Sequence, residues 1–443
     1  MNGTINSILE KKIADINSRN NTYETGKIRM VRQYVAEATG LQGVSYFEKV
    51  LVGDSAEGYV DAIREDCVVI ALTTIRRPVM VGDTVTATGV ELSARYSEGA
   101  VGHVLNIFGE DCLVGKQLDD LEDVPIETDP IPIMDRTTVN RPLLTGITGI
   151  DLLYPIGRGQ RQLILGDKKT GKTQIALDTI YNQNRKGNEP VFCIYVAIGK
   201  TKKEIKEIYS QLLTRGAMDY TVILTAFNDD PAPVLRITPY AALSMARKHL
   251  EKQEDVLVVI DDLKRHADVC REIALLMGST PGRDAYPPDI FYSHSRLLEM
   301  GCQHKNGGSI TILPICETKG GDITDYISTN IISITDGQIV LSAKAFEKGQ
   351  KPAINYGLSV SRLGGAVQSK EMKAAGPAIR RELLSYLEQS EVFELANMDE
   401  MGAGLQRTMR RGKAIIAMLC QGRYAVRNTE TMLRMAEELG DVE

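Results

Sequence analysis

The residues best suited to chemistry lie in one short stretch, residues 166–173, which reads GDKKTGKT. It fits G-x-x-x-x-G-K-[ST] at every defined position, the pattern of a loop that holds nucleotide phosphates. In such a loop, backbone N–H groups surround phosphate oxygens at a helix N-terminus, Lys172 reaches the β and γ phosphates, and the Thr173 hydroxyl ligates Mg²⁺. The predicted nucleotide-binding residues of the loop are Gly166, Asp167, Lys168, Lys169, Thr170, Gly171, Lys172 and Thr173. The sequence therefore predicts a site for ATP or ADP with Mg²⁺.

The residues on either side of the loop distinguish this site from a plain glycine turn between a strand and a helix. Residues 163–165 are an apolar run typical of a buried strand. After the loop, Ile175, Ala176, Ile180 and Tyr181 recur at helical spacing. The strand, loop and helix that the motif requires are all present, which favours the nucleotide site over the plain turn.

A second candidate for chemistry is Asp261, which follows the apolar run of residues 256–260. In a parallel sheet, this predicted strand would deliver a carboxylate to the same edge as the glycine loop. A carboxylate there can hold Mg²⁺, whereas the plain alternative is a structural aspartate at a strand end. We predict that Asp261 is the metal ligand and that Asp262 caps the helix that starts at Leu263.

The elements that must position these residues alternate between strands and helices beyond residue 90, which indicates parallel βα units. Further strands are predicted at residues 191–197, 221–226, 256–260, 309–315 and 331–334, and another at residues 354–360. The predicted fold class is therefore α/β, a P-loop NTPase core with a parallel sheet.

Both ends of the chain differ from this core. Short β-type runs at residues 28–31, 49–52, 68–72 and 84–87 are separated by Gly-containing turns, which predicts a small N-terminal β-barrel. Helical spacing predicts a terminal helix at residues 5–16 and a C-terminal helical region at residues 379–395, 412–420 and 429–439. The predicted domains are an N-terminal extension (1–22), the barrel (23–91), the nucleotide-binding domain (92–367) and a shortened helical domain (368–443).

Composition narrows the class of protein. With 443 residues, 43% hydrophobic and 25% charged, the chain is typical of a soluble protein of two or three domains. It has no apolar stretch of membrane-spanning length and no secretory signal at residues 1–19, so we expect it in the cytoplasm, with membrane contact only through partners. Seven scattered cysteines without a C-x-x-C pair suggest reduced thiols. A net charge of −6 argues against general nucleic-acid binding.

Beyond the loop, a series of motifs resembles one family, the alpha subunit of F-type ATP synthases, over roughly residues 23–424. The family's glycine loop reads almost as GDKKTGKT does here. The other matching stretches are PIGRGQR at 155–161, VAIG at 196–199, IDDL at 260–263, PGRDAYP at 281–287, HSRLLE at 294–299, ISITDGQ at 332–338 and SVSRLGG at 359–365. Together they favour the alpha over the catalytic beta subunit.

The resemblance implies a ring of alternating alpha and beta subunits, in which beta makes or hydrolyses ATP while alpha binds nucleotide without turnover. It implies further partners in the central shaft and the peripheral stalk, coupling to proton or sodium translocation, and a peripheral location on the cytoplasmic face of the cell membrane. No nucleic-acid partner is expected.

The residue type at the position of Lys200 distinguishes the catalytic beta subunit from the alpha subunit in the family that the chain resembles. After the strand at residues 193–197 the beta subunit has a glutamate that activates the attacking water, and the alpha subunit has glutamine. Lys200 cannot act as a carboxylate base, because a protonated amine has no free lone pair. From the residues alone, we expect a solvated lysine at a strand end.

Arg362 and Ser333 acquire a role only through the resemblance. From the sequence alone, Arg362 is best interpreted as an exposed or ion-paired arginine. In alpha subunits, the arginine of this motif reaches the γ-phosphate in the neighbouring beta site. Ser333 matches a serine near the same interface.

The chain also departs from the family. Lys168 and Lys169 replace Arg and Gln in the loop, which adds positive charge near the phosphates. Gln421 and Arg423 match two glutamines of the adenine pocket, and Arg423 changes the second of these base contacts. The segment before residue 23 and the helical region after residue 424 are shorter than in the family, so we expect a shortened, divergent member.

Two rival functions remain open. One is a self-sufficient hexameric P-loop ATPase, either a secretion ATPase or a Rho-like RNA translocase. It would need a catalytic glutamate, and an RNA translocase would need basic and aromatic residues interleaved in the barrel; the chain has no Trp and is 5% aromatic. The other is a regulatory nucleotide-binding protein that acts alone, which predicts a stable monomer.

Overall fold

The computed structural model describes residues 24–185, 188–392 and 403–439. The chain divides into two units. The first comprises the described residues up to Leu92 with the short segments Pro231–Pro233 and Leu276–Gly278, and the second comprises the rest. The helix predicted at residues 5–16 lies outside the described residues, and the predicted domain boundaries stay predictions.

The first unit contains a closed β-barrel of six strands. Inward-facing side chains such as Val50, Val60 and Ile70 are fully buried and form its core. Each of the four predicted β-type runs lies within a barrel strand, which confirms the small barrel. The strands are Thr25–Arg32, Val35–Thr39, Glu48–Val52, Ala56–Ile63, Val68–Ile75 and Thr84–Glu91.

The second unit is built on a largely parallel sheet. Its central strands are nearly continuous apolar runs because helices cover parallel sheets on both faces; in Asp255–Asp261 every residue after the first is buried. In spatial order the parallel strands are Val104–Leu105, Thr221–Phe227, Phe192–Lys200, Asp255–Asp261, Ser309–Thr318, Leu163–Asp167 and Gly337–Leu341. The predicted α/β class is confirmed.

The strand register brings the chemical residues to one edge of this sheet. Ala197 lies opposite Asp261, and Asp167 lies opposite Thr318. Because the strands are parallel, their carboxyl ends meet at this edge, and the glycine loop leaves the sheet there.

Helices and short strands complete the second unit. The α-helices of the described chain are Thr148–Asp151, Lys172–Asn182, Lys202–Leu213, Ala232–Glu251, Leu263–Leu276, Ile290–Leu298, Tyr326–Ile334, Ala343–Glu347, Lys370–Val392, Ala403–Leu419 and Thr429–Glu438. Short strands lie at Ser93–Tyr96, Glu110–Asp111, Lys116–Gln117, Glu122–Pro125, Arg136–Thr137, Pro142–Leu143, Ile156–Gly157, Cys302–His304 and Val360–Ser361. Single 3-10 turns lie at Glu98–Ala100, Ile133–Asp135, Ala217–Tyr220, Arg283–Ala285 and Gly364–Val367.

The C-terminal helical region is confirmed over its described residues. Leu383, Ile415 and Met432 come from its three helices and are buried in the same apolar cluster as the nucleotide-binding core. A side chain at Gly412 would place its Cβ 2.0 Å from the ring of Tyr386, so glycine is required where these helices approach each other. No described helix has both the length and the hydropathy to span a bilayer.

Two predicted strands are wrong. Residues 331–334 end the helix Tyr326–Ile334, and the strand follows at Gly337–Leu341. Ile327 and Ile331 are buried one helical turn apart, and so short an apolar run does not reveal its period. At residues 354–360, Asn355 accepts hydrogen bonds from the N–H groups of the second and third residues after it. This turn leaves only a bridge at residue 354 and the strand Val360–Ser361.

Candidate nucleotide-binding site

The glycine loop connects a buried strand to a helix, as its motif requires. The strand Leu163–Asp167 ends in the loop, and the helix Lys172–Asn182 begins directly after Gly171. Gly171 has φ +101°, a left-handed conformation that other residues rarely adopt. The loop thus leaves backbone N–H groups at a helix N-terminus, an arrangement that suits phosphate oxygens.

Lys172 lies against the loop. Its ammonium group donates hydrogen bonds to the carbonyl oxygens of Gly166 and Asp167, at 2.8 and 2.7 Å, and the residue is 8% exposed. Burial lowers the pKa of Lys172. The ammonium group is therefore already held at the loop, where a phosphate could replace the carbonyl oxygens as its partner.

The other loop side chains divide into two groups. Asp167 and Thr170 support the loop: the Asp167 carboxylate accepts hydrogen bonds from the Thr318 hydroxyl at 2.6 Å and the Gly321 N–H at 2.8 Å, and Thr170 donates to the Asp167 carbonyl at 2.8 Å. Lys168 and Lys169 are both exposed. They add positive charge at the entrance of the site.

Asp261 lies beside the loop as predicted. It is 2% exposed, and its Oδ2 accepts hydrogen bonds from the Thr173 hydroxyl at 2.8 Å and the Tyr195 hydroxyl at 2.6 Å. A carboxylate and a hydroxyl oxygen this close suit a hard cation such as Mg²⁺. Burial raises the pKa of Tyr195, so this hydroxyl stays protonated and donates. Tyr195 was not predicted from the sequence, because a tyrosine within an apolar strand gives no signal of a polar role.

Asp262 caps the next helix, as predicted. Its carboxylate accepts a hydrogen bond from the Arg265 N–H at 2.6 Å, in the first turn of Leu263–Leu276. Burial, together with the charge of Asp261, raises the pKa of Asp262 to about 6.

Lys200 differs from the prediction. Instead of a solvated lysine, it forms an ion pair with Asp261, with 3.0 Å between its Nζ and Oδ2, and its side chain is 18% exposed. Burial lowers the pKa of Lys200, but the charge of Asp261 outweighs that effect, and the pKa is raised overall. The prediction failed because this contact depends on the pairing of two strands that are far apart in sequence.

Gln421 and Arg423 line a cavity beside the loop, together with Lys169 and Gly171. The Gln421 amide is engaged within the protein: its oxygen accepts from the N–H and hydroxyl of Thr148, and its nitrogen donates to two carbonyl oxygens, at 2.6 and 2.8 Å. Gln421 therefore shapes the wall, while Arg423 is exposed at the entrance.

The same cavity has further walls that the sequence analysis missed. Phe346 and Lys351 lie on it, with the Lys351 ammonium 5.3 Å from the Phe346 ring centroid. The buried carboxylate of Asp178 also lines the cavity and accepts hydrogen bonds from Gln174 and from the Tyr424 N–H. An aromatic ring beside polar groups suits a nucleotide base.

Arg362 and Ser333 lie close together and do not line this cavity. The Arg362 guanidinium donates to the carbonyl of Ile332 at 3.2 Å, and the Ser333 hydroxyl donates to the Thr329 carbonyl at 2.9 Å. Arg362 is exposed, and its backbone N–H donates to the carbonyl of Asp336.

Comparison with known proteins agrees with these features. Residues 146–361 match the family model described as the ATP synthase alpha/beta family, nucleotide-binding domain. The chain is 40% identical over 427 residues to ATP synthase subunit alpha of Limosilactobacillus reuteri (strain DSM 20016), covering 94% of this chain and 82% of that protein. It is 43% identical over 424 residues to the same subunit of Caldanaerobacter subterraneus subsp. tengcongensis, covering 95% and 83%. For Limosilactobacillus fermentum, the identity is 39% over 435 residues, covering 96% and 83%.

Proposed function

Because the chain belongs to the ATP synthase alpha subunit family, we propose that it is a nucleotide-binding subunit that does not itself hydrolyse ATP. One observation carries the proposal: a complete phosphate loop lies beside Lys200, a cation, where hydrolysis would need a carboxylate base. The next carboxylate along the chain, Glu204, accepts hydrogen bonds from the N–H and hydroxyl of Thr201 in a capping box. It is thus already engaged at the start of a helix.

In this proposal the loop residues hold the phosphates, and the cavity lined by Gln421 and Arg423 holds the base. Thr173 and Asp261 are the oxygen ligands for a Mg²⁺ that accompanies the nucleotide and would neutralise phosphate charge, but that ion would have to compete with the Lys200 ammonium group for Asp261. Lys172 would move from the loop carbonyls to the β and γ phosphates.

We further propose that Arg362 acts on a nucleotide held by the neighbouring beta subunit. Its guanidinium is exposed, and in the described part of the chain it has no carboxylate partner. A planar, permanently charged group of this kind can form two parallel hydrogen bonds to a phosphate. Ser333, beside it, would lie near the same site.

Membership of the family supports a proposal for the partners. We propose an alternating ring with beta subunits, attached to a central shaft and a peripheral stalk, on the cytoplasmic face of the membrane. ATP synthesis or hydrolysis by the ring would be coupled to proton or sodium translocation.

Co-expression with the beta subunit of the same complex tests the assembly, by native mass spectrometry and analysis of bound nucleotide. We expect a hexamer of three alpha and three beta chains, and nucleotide bound to this chain when the phosphate loop of beta is inactivated. A stable monomer in the presence of beta would favour a protein that acts alone, and a homohexamer that turns over ATP would favour the self-sufficient ATPase.

A further inference from the structure

The Mg²⁺ ligand proposed above already has a cation as its partner. Oδ2 of Asp261 lies 3.0 Å from the Lys200 ammonium and accepts hydrogen bonds from the hydroxyls of Thr173 and Tyr195. Thr173 and Asp261 are the oxygen ligands that suit Mg²⁺, but Lys200 is directed at the same oxygen. A divalent cation at Asp261 would have to approach or displace the ammonium group.

Lys200 is held in this place by its surroundings. It is the last residue of the strand Phe192–Lys200, which pairs with neighbouring strands on both sides. The side chains of the ion pair are 18% and 3% exposed, so water screens their attraction only weakly. Removing one partner of a buried ion pair leaves an uncompensated charge, so displacement of Lys200 is unfavourable.

Four lysines around the phosphate loop carry positive charge that can neutralise phosphate oxygens. Without Mg²⁺, a nucleoside triphosphate carries more negative charge at its phosphates. Lys168, Lys169 and Lys172 lie in the loop itself, and Lys200 adds a cation beside Asp261. Lysine is a compact point charge, so the Lys200 ammonium can attract a phosphate oxygen while it stays paired with Asp261.

We propose that the Lys200 ammonium takes the place of the divalent cation beside Asp261, so that this chain binds nucleoside triphosphate largely independently of Mg²⁺. The inference rests on the proposed nucleotide-binding function and refines it. It assigns Lys200 a positive role at the site, in addition to the absence of a catalytic base.

Equilibrium binding of ATP to the purified full-length chain tests the inference, with saturating Mg²⁺ in one series and EDTA in the other. For the unaltered chain, we expect the two dissociation constants to agree within about threefold. For Lys200→Gln, which frees Asp261 for the metal, Mg²⁺ should tighten binding by about tenfold or more, or about 1.4 kcal/mol. The matched control is Lys203→Gln. The Lys203 side chain is 87% exposed, and this variant should bind ATP with the same ratio of dissociation constants, with and without Mg²⁺, as the unaltered chain.

Each other outcome has a separate meaning. If Mg²⁺ tightens ATP binding to the unaltered chain more than about tenfold, the inference is overturned while the nucleotide-binding function stands. If the ratio of the ATP dissociation constants in EDTA and in Mg²⁺ is the same in Lys200→Gln as in the unaltered chain, the role of Lys200 is also overturned. Absence of ATP binding in both series overturns the nucleotide-binding function itself, and the inference with it. The unaltered chain alone decides the question if the variant does not fold.

Discussion

Replacing Arg362 with lysine should reduce turnover of the assembled ring by at least about a hundredfold. Arginines that act on a transferring phosphoryl group contribute about 10³–10⁵ to turnover in other NTPases, or roughly 4–7 kcal/mol at about 1.36 kcal/mol per tenfold. Lysine retains the charge but loses the two parallel hydrogen bonds, so we expect partial rescue. Nucleotide affinity should change far less than turnover.

The structure separates this effect from a loss of folding. Within the described residues, the Arg362 guanidinium makes a single hydrogen bond, to the carbonyl of Ile332 at 3.2 Å. Such a bond contributes about 0.5–1.5 kcal/mol to stability. A hundredfold loss of turnover corresponds to about 2.7 kcal/mol, which is more than that bond can account for.

The assay is steady-state ATP hydrolysis by the complex reconstituted with beta subunits, with native mass spectrometry on the same preparation. Arg77→Lys, at an exposed arginine of the barrel, is the matched control and should leave turnover unchanged. Near-normal turnover of an assembled Arg362→Lys ring would refute the role in chemistry. Failure of the ring to assemble would instead assign Arg362 a structural role.

Three further predictions follow from the geometry. Lys172→Ala should weaken ATP binding to the isolated chain by at least roughly tenfold, since contacts to charged groups contribute about 1.5–3 kcal/mol; unchanged affinity in a binding titration would exclude Lys172 from the site. Gly412→Ala should lower the melting temperature, because its Cβ would meet Tyr386 at 2.0 Å and overpacking costs about 1–3 kcal/mol; Gly404→Ala, in the same helix with no atom within 4 Å of its added Cβ, should not. Burial lowers the pKa of His266 to about 4, whereas a pKa of about 6.5 is expected in the unfolded chain. As the pH falls from 6.5 towards 4, the unfolded chain therefore binds the proton first, and the folded state loses stability. We expect a loss of about 1.6 kcal/mol from this residue between pH 6.5 and 5, and a smaller loss in His266→Gln, measured by urea unfolding. Equal losses in both proteins would contradict this assignment.

The conformation of the glycine loop and its proximity to Asp261 could be predicted from sequence because their signals are local. The loop motif spans eight consecutive residues, and Asp261 directly follows an apolar run typical of a buried strand. The carboxyl ends of parallel strands lie at one edge of the sheet, so the proximity of the glycine loop to Asp261 follows from the fold class alone.

The features that sequence reasoning missed depend on contacts between distant segments. The ion pair between Lys200 and Asp261 needs the pairing of two strands, and the engagement of the Gln421 amide needs Thr148, which is 273 residues away. The helix that contains Ser333 was mistaken for a strand because its apolar residues form a run too short to show a period.

The most direct test of the central claim is single-turnover hydrolysis by the purified chain without beta subunits. The chain is mixed in excess with γ-labelled ATP and Mg²⁺, quenched over time, and assayed for bound ATP and released phosphate. We expect ATP to bind and to be recovered intact, because in the proposed function Lys200, a cation paired with Asp261, takes the position of a catalytic carboxylate. Release of phosphate from the bound nucleotide, at a rate that Lys172→Ala abolishes, would contradict it.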